Sequence, residues 1–481
     1  MLNKRTCIGI KLFKSMKILV NRRGHNIRAS IITLAVFLCI SLAKAQEDEA
    51  SNAAVEPEMP ARLRYLEVPV VVEPGLEPEL PILPGPIPNV DSQRDAEFIS
   101  LVNSIQQYSE TVELIEEQGG AWDINLAESL TTIGGIEQQQ GNHIEAIAAF
   151  SRAMQINRIA NGLYTLEQLP LLEKMIDSYT ALENWEQVDL FNNYLFYIAH
   201  RTYGVEDPRI ISSLERLASW NMEAFSIGFG DALGVRLSNA QMLYRSAIRI
   251  VVVHFGETDQ RLPVFLRKLA SSAYQVAMYP EYAAQVAQPE FRSQQESFRR
   301  KLNEGSSIIP GSFKTGEAAL LAVIDYHNKA PYSAYALAEA ITHLGDWYIL
   351  FDRRRRQAED IYFEAWELLR AEEGGEYLVG QLFGQVVPLP TFVDTPKNLE
   401  MRSSDTKARS AMEHDIADLS FSVTPLGAVR DVEMLGEETE ENKMKLSPLL
   451  RALRMSKFRP TLIEGRPVRS DGHVFRYRYW Y

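Results

Sequence analysis

The side chains that could do chemistry in this 481-residue chain are few and scattered. Its eight histidines are His25, His143, His200, His254, His327, His343, His414 and His473. They form no His-Glu-x-x-His pair and no close cluster, the spacing that a zinc site or a zinc hydrolase needs. Gly228-Phe229-Gly230-Asp231-Ala232-Leu233-Gly234 has a glycine rhythm, but no strand pattern precedes it and the spacing is wrong for a dinucleotide turn. It reads as a turn insertion. There is no Gly-x-x-x-x-Gly-Lys-Ser/Thr phosphate loop and no Gly-x-Ser-x-Gly elbow. Arg353–Arg356 is a candidate anion site, but it falls where a turn between two helices belongs, and a solvated turn is the favoured reading. The expectation is a protein that is not an enzyme, with no metal and no cofactor.

The two cysteines, Cys7 and Cys39, lie near the N-terminus, where residues 1–45 carry nine Lys or Arg and no acid. Basic text precedes an apolar run from Ile31 to Ala43, and Ala43-Lys44-Ala45-Gln46 is a small-x-small cleavage pattern. The run is short for a bilayer span, which takes about 20 residues. Residues 1–45 are therefore read as a signal peptide, with Met16 as an alternative start. Export to the periplasm follows, and an uncleaved membrane anchor is the alternative. The residue before Cys39 is Leu38, too large for a lipoprotein signal. A mature chain from Gln46 would have no cysteine, hence no disulfide and no thiolate metal site. Losing the leader takes the formal charge from −13 to −22. So acidic a body excludes nucleic acid as the main partner.

Residues 46–93 read as a Pro/Glu-rich linker, with nine prolines between Pro57 and Pro88. Proline fixes φ and removes a donor, so extension at about 3.1 Å per residue predicts a spacer of order 100 Å. From 94 to 375 the pattern turns helical. Leu126, Leu130, Ile133 and Gly134, then Ala146, Phe150 and Ala153, flank the turn signal Gln140-Gly141-Asn142. This is a helical hairpin with small residues where its helices meet. An internal repeat follows at an offset of 52: Tyr203-Gly204-Val205-Glu206-Asp207-Pro208-Arg209-Ile210 parallels Phe255-Gly256-Glu257-Thr258-Asp259-Gln260-Arg261-Leu262. The match extends to Leu214, Leu217 and Ala218 against Leu266, Leu269 and Ala270.

These residues resemble the tetratricopeptide repeat. Ile133-Gly134, Gly141, Ala146, Phe150 and Ala153 fall at its spacing, although Glu137 replaces the usual aromatic and Arg158 the usual proline. The Tyr203 and Phe255 junctions resemble the longer repeat of kinesin light chains. Leu344-Gly345, Trp347-Tyr348, Ala358, Tyr362 and Ala365 give another good hairpin, and a weaker one starts at Asn184-Trp185. Four or five hairpins are expected, while 280–335 fits no unit. The resemblance implies a concave groove lined by the first helix of each hairpin. Its positions here are Glu128, Thr131, Gly135, Gln138 and Gln139 in the first hairpin, and Glu339, Thr342, Asp346, Ile349 and Leu350 in the last.

Residues 376–412, with Pro388, Pro390 and Pro396, read as a second linker. Beyond it, Leu419, Phe421 and Val423 alternate with polar residues as a half-buried strand, and Pro425-Leu426-Gly427 turns into a second strand through Val432 and Met434. Ser447-Pro448 predicts a helix start. Phe458-Arg459-Pro460 ends that helix, Gly465-Arg466-Pro467-Val468 follows, and Val474–Tyr481 alternates strictly, with Phe475, Tyr477, Tyr479 and Tyr481 on one face. Residues 413–481 resemble the TonB C-terminal domain, most specifically in Phe-x-Pro and Gly-x-Pro-Val. The resemblance implies a small α+β domain that meets outer-membrane transporters by strand pairing, with Phe475, Tyr477 and Tyr479 on the pairing strand. Residues 449–481 carry a net charge of +6, a basic face for an acidic partner, lipid head groups, the chain's own acidic repeats, or solvent.

The fold expected is mostly α: a tetratricopeptide-type hairpin solenoid followed by a TonB-like domain. The function expected is a non-catalytic scaffold for protein partners in a Gram-negative envelope, an outer-membrane transporter among the candidates. The alternative is a TonB-like energy transducer for outer-membrane transport, which needs the leader retained as an anchor; only then would the chain contact a membrane. TonB itself keeps an anchor and lacks a repeat array.

Overall fold

A computed structural model describes residues 65–66, 69–71, 90–303, 312–330, 333–390, 413–436 and 440–480. The leader, both cysteines and Tyr481 lie outside the described residues. Among the described residues no helix is long and apolar enough to cross a membrane.

A long helix, α1 (Val90–Gly119), leads into five hairpins. These pair α2 (Leu126–Gln139) with α3 (His143–Asn161), α4 (Leu169–Ala181) with α5 (Trp185–Tyr203), and α6 (Ile211–Ser226) with α7 (Leu233–Phe255). In the fourth, α8 (Arg261–Met278) pairs with α11 (Ser312–Lys329), and in the fifth α12 (Ala334–Leu350) pairs with α13 (Arg355–Arg370). A short helix, α14 (Gly375–Phe383), packs on α13. The hairpins share one continuous core from Val112 to Leu389, as stacked repeats must, because a lone hairpin cannot bury its apolar face.

The stretch that fitted no unit, 280–335, holds an insertion, described from Pro280 to Asn303, followed by α11, the second helix of the fourth hairpin. Its helices α9 (Pro280–Gln285) and α10 (Pro289–Lys301) lean on α7 rather than extend the stack. Gly234 serves this contact, since a Cβ there would stand 1.8 Å from the carbonyl oxygen of Tyr282. The small residues of the repeat pattern do the same between paired helices. A Cβ on Gly134 would meet the Phe150 ring at 2.6 Å, and one on Gly345 the Tyr362 ring at 2.7 Å. Packing this tight leaves no room for a methyl group.

The C-terminal domain is a hairpin of β4 (His414–Val423) and β5 (Val429–Leu435), a helix α15 (Glu440–Met455), and the strand β9 (Ser470–Trp480). Between helix and strand lie three two-residue strands: β6 (Phe458–Arg459), β7 (Leu462–Ile463) and β8 (Arg466–Pro467). β4 pairs antiparallel with both β5 and β9. Leu419, Phe421, Val423, Leu449, Leu453, Phe475, Tyr477 and Tyr479 fill the core between sheet and helix. The helix does not begin at Ser447-Pro448: it starts seven residues earlier and carries Pro448 inside. A proline costs a helix one backbone hydrogen bond, and here Leu449 and Leu453, both buried, hold the helix in place beyond it.

Both linker expectations need correction. Residues 376–412 begin with α14 and a strand β3 (Val387–Pro388), which pairs with β6 through Val387↔Arg459 and Pro388↔Phe458. Residues 391–412 lie outside the described ones. Within 46–93, β1 (Tyr65–Leu66) and β2 (Val70–Val71) pair antiparallel with β9. The proline count hid them: residues 61–68 contain no proline, and Val70-Val71-Val72 is β-branched text suited to a strand. Helix α1 also begins four residues before the expected boundary.

Candidate partner-binding surfaces

The repeat at offset 52 has a chemical explanation. α5 and α7 each end in an aromatic residue followed by a glycine with positive φ, Gly204 (80°) and Gly256 (88°). Three residues on, Asp207 and Asp259 accept the backbone N–H of Arg209 and Arg261. Each arginine also returns a two-pronged bond to its own aspartate, at 3.0 and 2.7 Å for Arg209 and 2.8 and 2.8 Å for Arg261. Each guanidinium stacks over the aromatic ring, 4.3 Å from Tyr203 and 4.0 Å from Phe255. The side-chain and backbone hydrogen bonds from Arg209 hold the Asp207 carboxyl down to about 2. These residues cap the junctions at which one hairpin passes into the next.

The first helices of the hairpins, α2, α4, α6, α8 and α12, stand side by side, and their facing charges pair across the row. Arg216 on α6 reaches Asp177 (3.3 Å) and Glu173 (3.9 Å) on α4. Lys268 on α8 reaches Glu215 on α6 at 2.6 Å, and Arg267 on α8 reaches Glu339 on α12 at 3.8 Å. Sequence reading missed this ladder, although opposite charges on successive first helices were there to be matched.

The predicted groove residues divide. Glu128 and Gln139 are exposed on α2. Thr131 is half-buried and donates to the Ala127 carbonyl at 2.6 Å. Gln138 ties the first hairpin to the second, donating to the Lys174 carbonyl and to Ser178 Oγ, both at 2.9 Å. In the last hairpin Glu339 is half-buried, while Thr342 and Asp346 are wholly buried. Thr342 donates to the Ala338 carbonyl at 2.7 Å. Neither Thr342 nor Asp346 can meet an outside partner.

Asp346 already has an occupant, the chain's own C-terminal domain. Arg459 donates to its carboxylate from Nε at 3.1 Å and Nη2 at 2.6 Å, and the Tyr362 hydroxyl donates at 2.8 Å. Arg459 Nη1 reaches the Leu382 carbonyl at 3.3 Å. Burial alone would lower the Arg459 pKa, but the charge and hydrogen bonds of Asp346 outweigh it and raise it. Burial pushes the Tyr362 hydroxyl well up, and the Asp346 charge adds to it. Lys457 meets Asp352 at 3.0 Å. Gly465 lies against Phe363 and Trp366 so closely that a Cβ would stand 2.7 Å from a ring carbon, and Arg466 stacks over Phe363 at 5.2 Å. The Phe-x-Pro and Gly-x-Pro-Val segments thus face the last repeat. Of the basic residues, Lys457 and Arg459 pair with carboxylates of the array, and Arg466 stacks on Phe363.

Arg353 and Arg354, read as a solvated turn, lie over the Phe313 ring at 4.9 and 5.9 Å, and Arg354 pairs with Glu317. They brace the fifth hairpin against the fourth. Phe475, Tyr477 and Tyr479 are core residues, 1–2% exposed. Their side chains are closed to a partner. β9 does not offer an open edge either, because β4 takes one side and β1 and β2 the other.

A cavity of about 500 Å³ opens between α7, α8 and α11. Leu266, Leu269 and Ala319 floor it, and Arg245, Arg249 and Lys314 edge it with no carboxylate among the lining residues.

No family model matches this chain, and no curated protein matches it. Among solved structures it is similar to BtubC (BKLC) from P. vanneervenii, with 12% identity and a TM-score of 0.34 over 56% of this chain and 91% of the other. It is also similar to a putative kinesin light chain from Podosopora anserina with nearly identical TPR-like repeats, with 15% identity and a TM-score of 0.34 over 54% of this chain and 97% of the other. The seating of Gly134 on Phe150 and Gly345 on Tyr362, repeated along one shared core, makes the helical part of this chain an array of tetratricopeptide-like hairpins.

Proposed function

We propose that the chain is a non-catalytic protein–protein scaffold of the Gram-negative cell envelope, exported to the periplasm by a cleaved leader. The repeats hold a protein partner on the shared face of their first helices, and the TonB-like C-terminal domain adds a second contact by strand pairing. The observation that carries the first part is the seat at Asp346. In the last repeat this face already grips a short segment, Phe458–Arg459, through a two-pronged ion pair. In the first hairpin the same row carries Glu128 and Gln139 exposed to solvent. The TonB-like order of elements and the leader support the envelope setting.

A photo-crosslinking residue placed at Glu128 or Gln139 in the full chain tests this reading, with Ile144 on α3 as the control. Expected is a crosslinked protein from the first two positions and none from Ile144. Equal crosslinking from all three, or none, overturns it. Fractionation with sequencing of the mature N-terminus decides the setting. A soluble species starting at Gln46 supports the scaffold. A membrane species that keeps Ile31–Ala43 favours the energy transducer instead.

A further inference from the structure

We infer that the outer edge of β9 is a strand-accepting site which the chain itself fills with Tyr65–Leu66 and Val70–Val71, so that a partner strand enters only by displacing this clip. The register is Tyr65↔Trp480, Leu66↔Tyr479, Val70↔Arg476 and Val71↔Phe475. Between the two pairs of residues the register slips by one, at the segment holding Pro69, which has no N–H to give. The clip is therefore short and interrupted. Val70 is 66% and Val71 45% exposed, so these two side chains add little apolar burial to the backbone bonds of β2.

The other edge of the sheet is not equivalent. β5 has a register slip against β4, and Asp431 within it has positive φ (51°) and is tied to Ser422 and Arg469. A bulge and fixed charges are the devices by which an edge is closed to strand addition. β9 pairs with β4 without a break from His414↔Trp480 to Phe421↔His473, its own irregularity falling only beyond His473 toward Ser470. An extended aliphatic segment is what this regular stretch takes. Among the described elements β1 and β2 pair with β9 and with no repeat helix, and eighteen residues of sequence separate Val71 from Val90.

The inference rests on the strand-pairing part of the proposed function only in that a partner would use the same edge; the clip itself rests on the pairing seen here. The test uses a labelled synthetic peptide of residues 62–73, the full chain, and a full-chain Leu66→Pro/Val71→Pro variant. Circular dichroism on the variant checks that the repeats remain folded. Expected is peptide binding at least tenfold tighter to the variant than to the wild type. Amide protection in 474–480 should fall in the variant and return with peptide. Equal binding to both proteins, or undiminished protection in the variant, overturns the clip. If the peptide binds as expected while a partner crosslinks only to the repeats, the clip stands and the strand-pairing part of the function falls.

Discussion

Asp346 and Arg459 illustrate how much one buried pair can carry. Their side chains are 0% and 5% exposed, so breaking the pair strands a charge away from water. Asp346→Ala should cost about 3–5 kcal/mol of stability. Lys457→Ala, which breaks a pair whose aspartate is half exposed, should cost about 1 kcal/mol or less. Urea unfolding of both variants checks the contrast. His343, one turn before Asp346, adds a pH dependence. Burial holds its pKa below the usual value of 6.5, and Asp346 and Glu339 only partly oppose this against Arg459 and Arg267. The unfolded chain then binds the proton more readily, so stability is full above about pH 6.5 and falls as pH drops below it. His343→Gln should flatten the urea midpoint between pH 7 and 5; an unchanged slope would assign it to other groups. None of this was legible in sequence, where Asp346 is one groove position and Arg459 one basic residue among eight.

At the scale of the element, the hairpins were legible because their signature is local. Gly134 with Phe150, and Gly345 with Tyr362, sit 16 and 17 residues apart and touch across one turn. Gly345→Ala should force a methyl group into the Tyr362 ring and cost about 1–3 kcal/mol, read as a lowered unfolding midpoint. The fourth hairpin was not legible because α8 meets its partner α11 only after an insertion, and no periodicity reports a partner that far along the chain. The clip was missed for the opposite reason. Prolines on either side of 61–68 coloured the whole stretch as linker, although a strand needs only a few residues free of them.

For the whole molecule, the surprise is that repeats and C-terminal domain are joined side chain to side chain. The expected picture of two modules on a linker came from reading each motif for its own fold. The Phe-x-Pro and Gly-x-Pro-Val text also specifies a neighbour. A repeat array needs its terminal face covered, and here the C-terminal domain covers it. Removing residues 413–481 should expose Phe363 and Trp366 and leave Asp346 without its guanidinium. The expected result is a shortened array that melts at lower temperature and associates at micromolar concentration, as light scattering would show; an equally stable monomer would mean the domain is only a passenger.

The pairing of β1 and β2 with β9 also sets a schedule. The two partners lie some 400 residues apart, and synthesis at roughly 5–20 residues per second separates their appearance by about 20–80 s. The hairpins, built from near neighbours, can fold in order as they emerge. The segment that appears first among these elements closes last, and a chain interrupted before residue 470 leaves it permanently unpaired. Closure of this strand is therefore a mark that synthesis has run through the final domain.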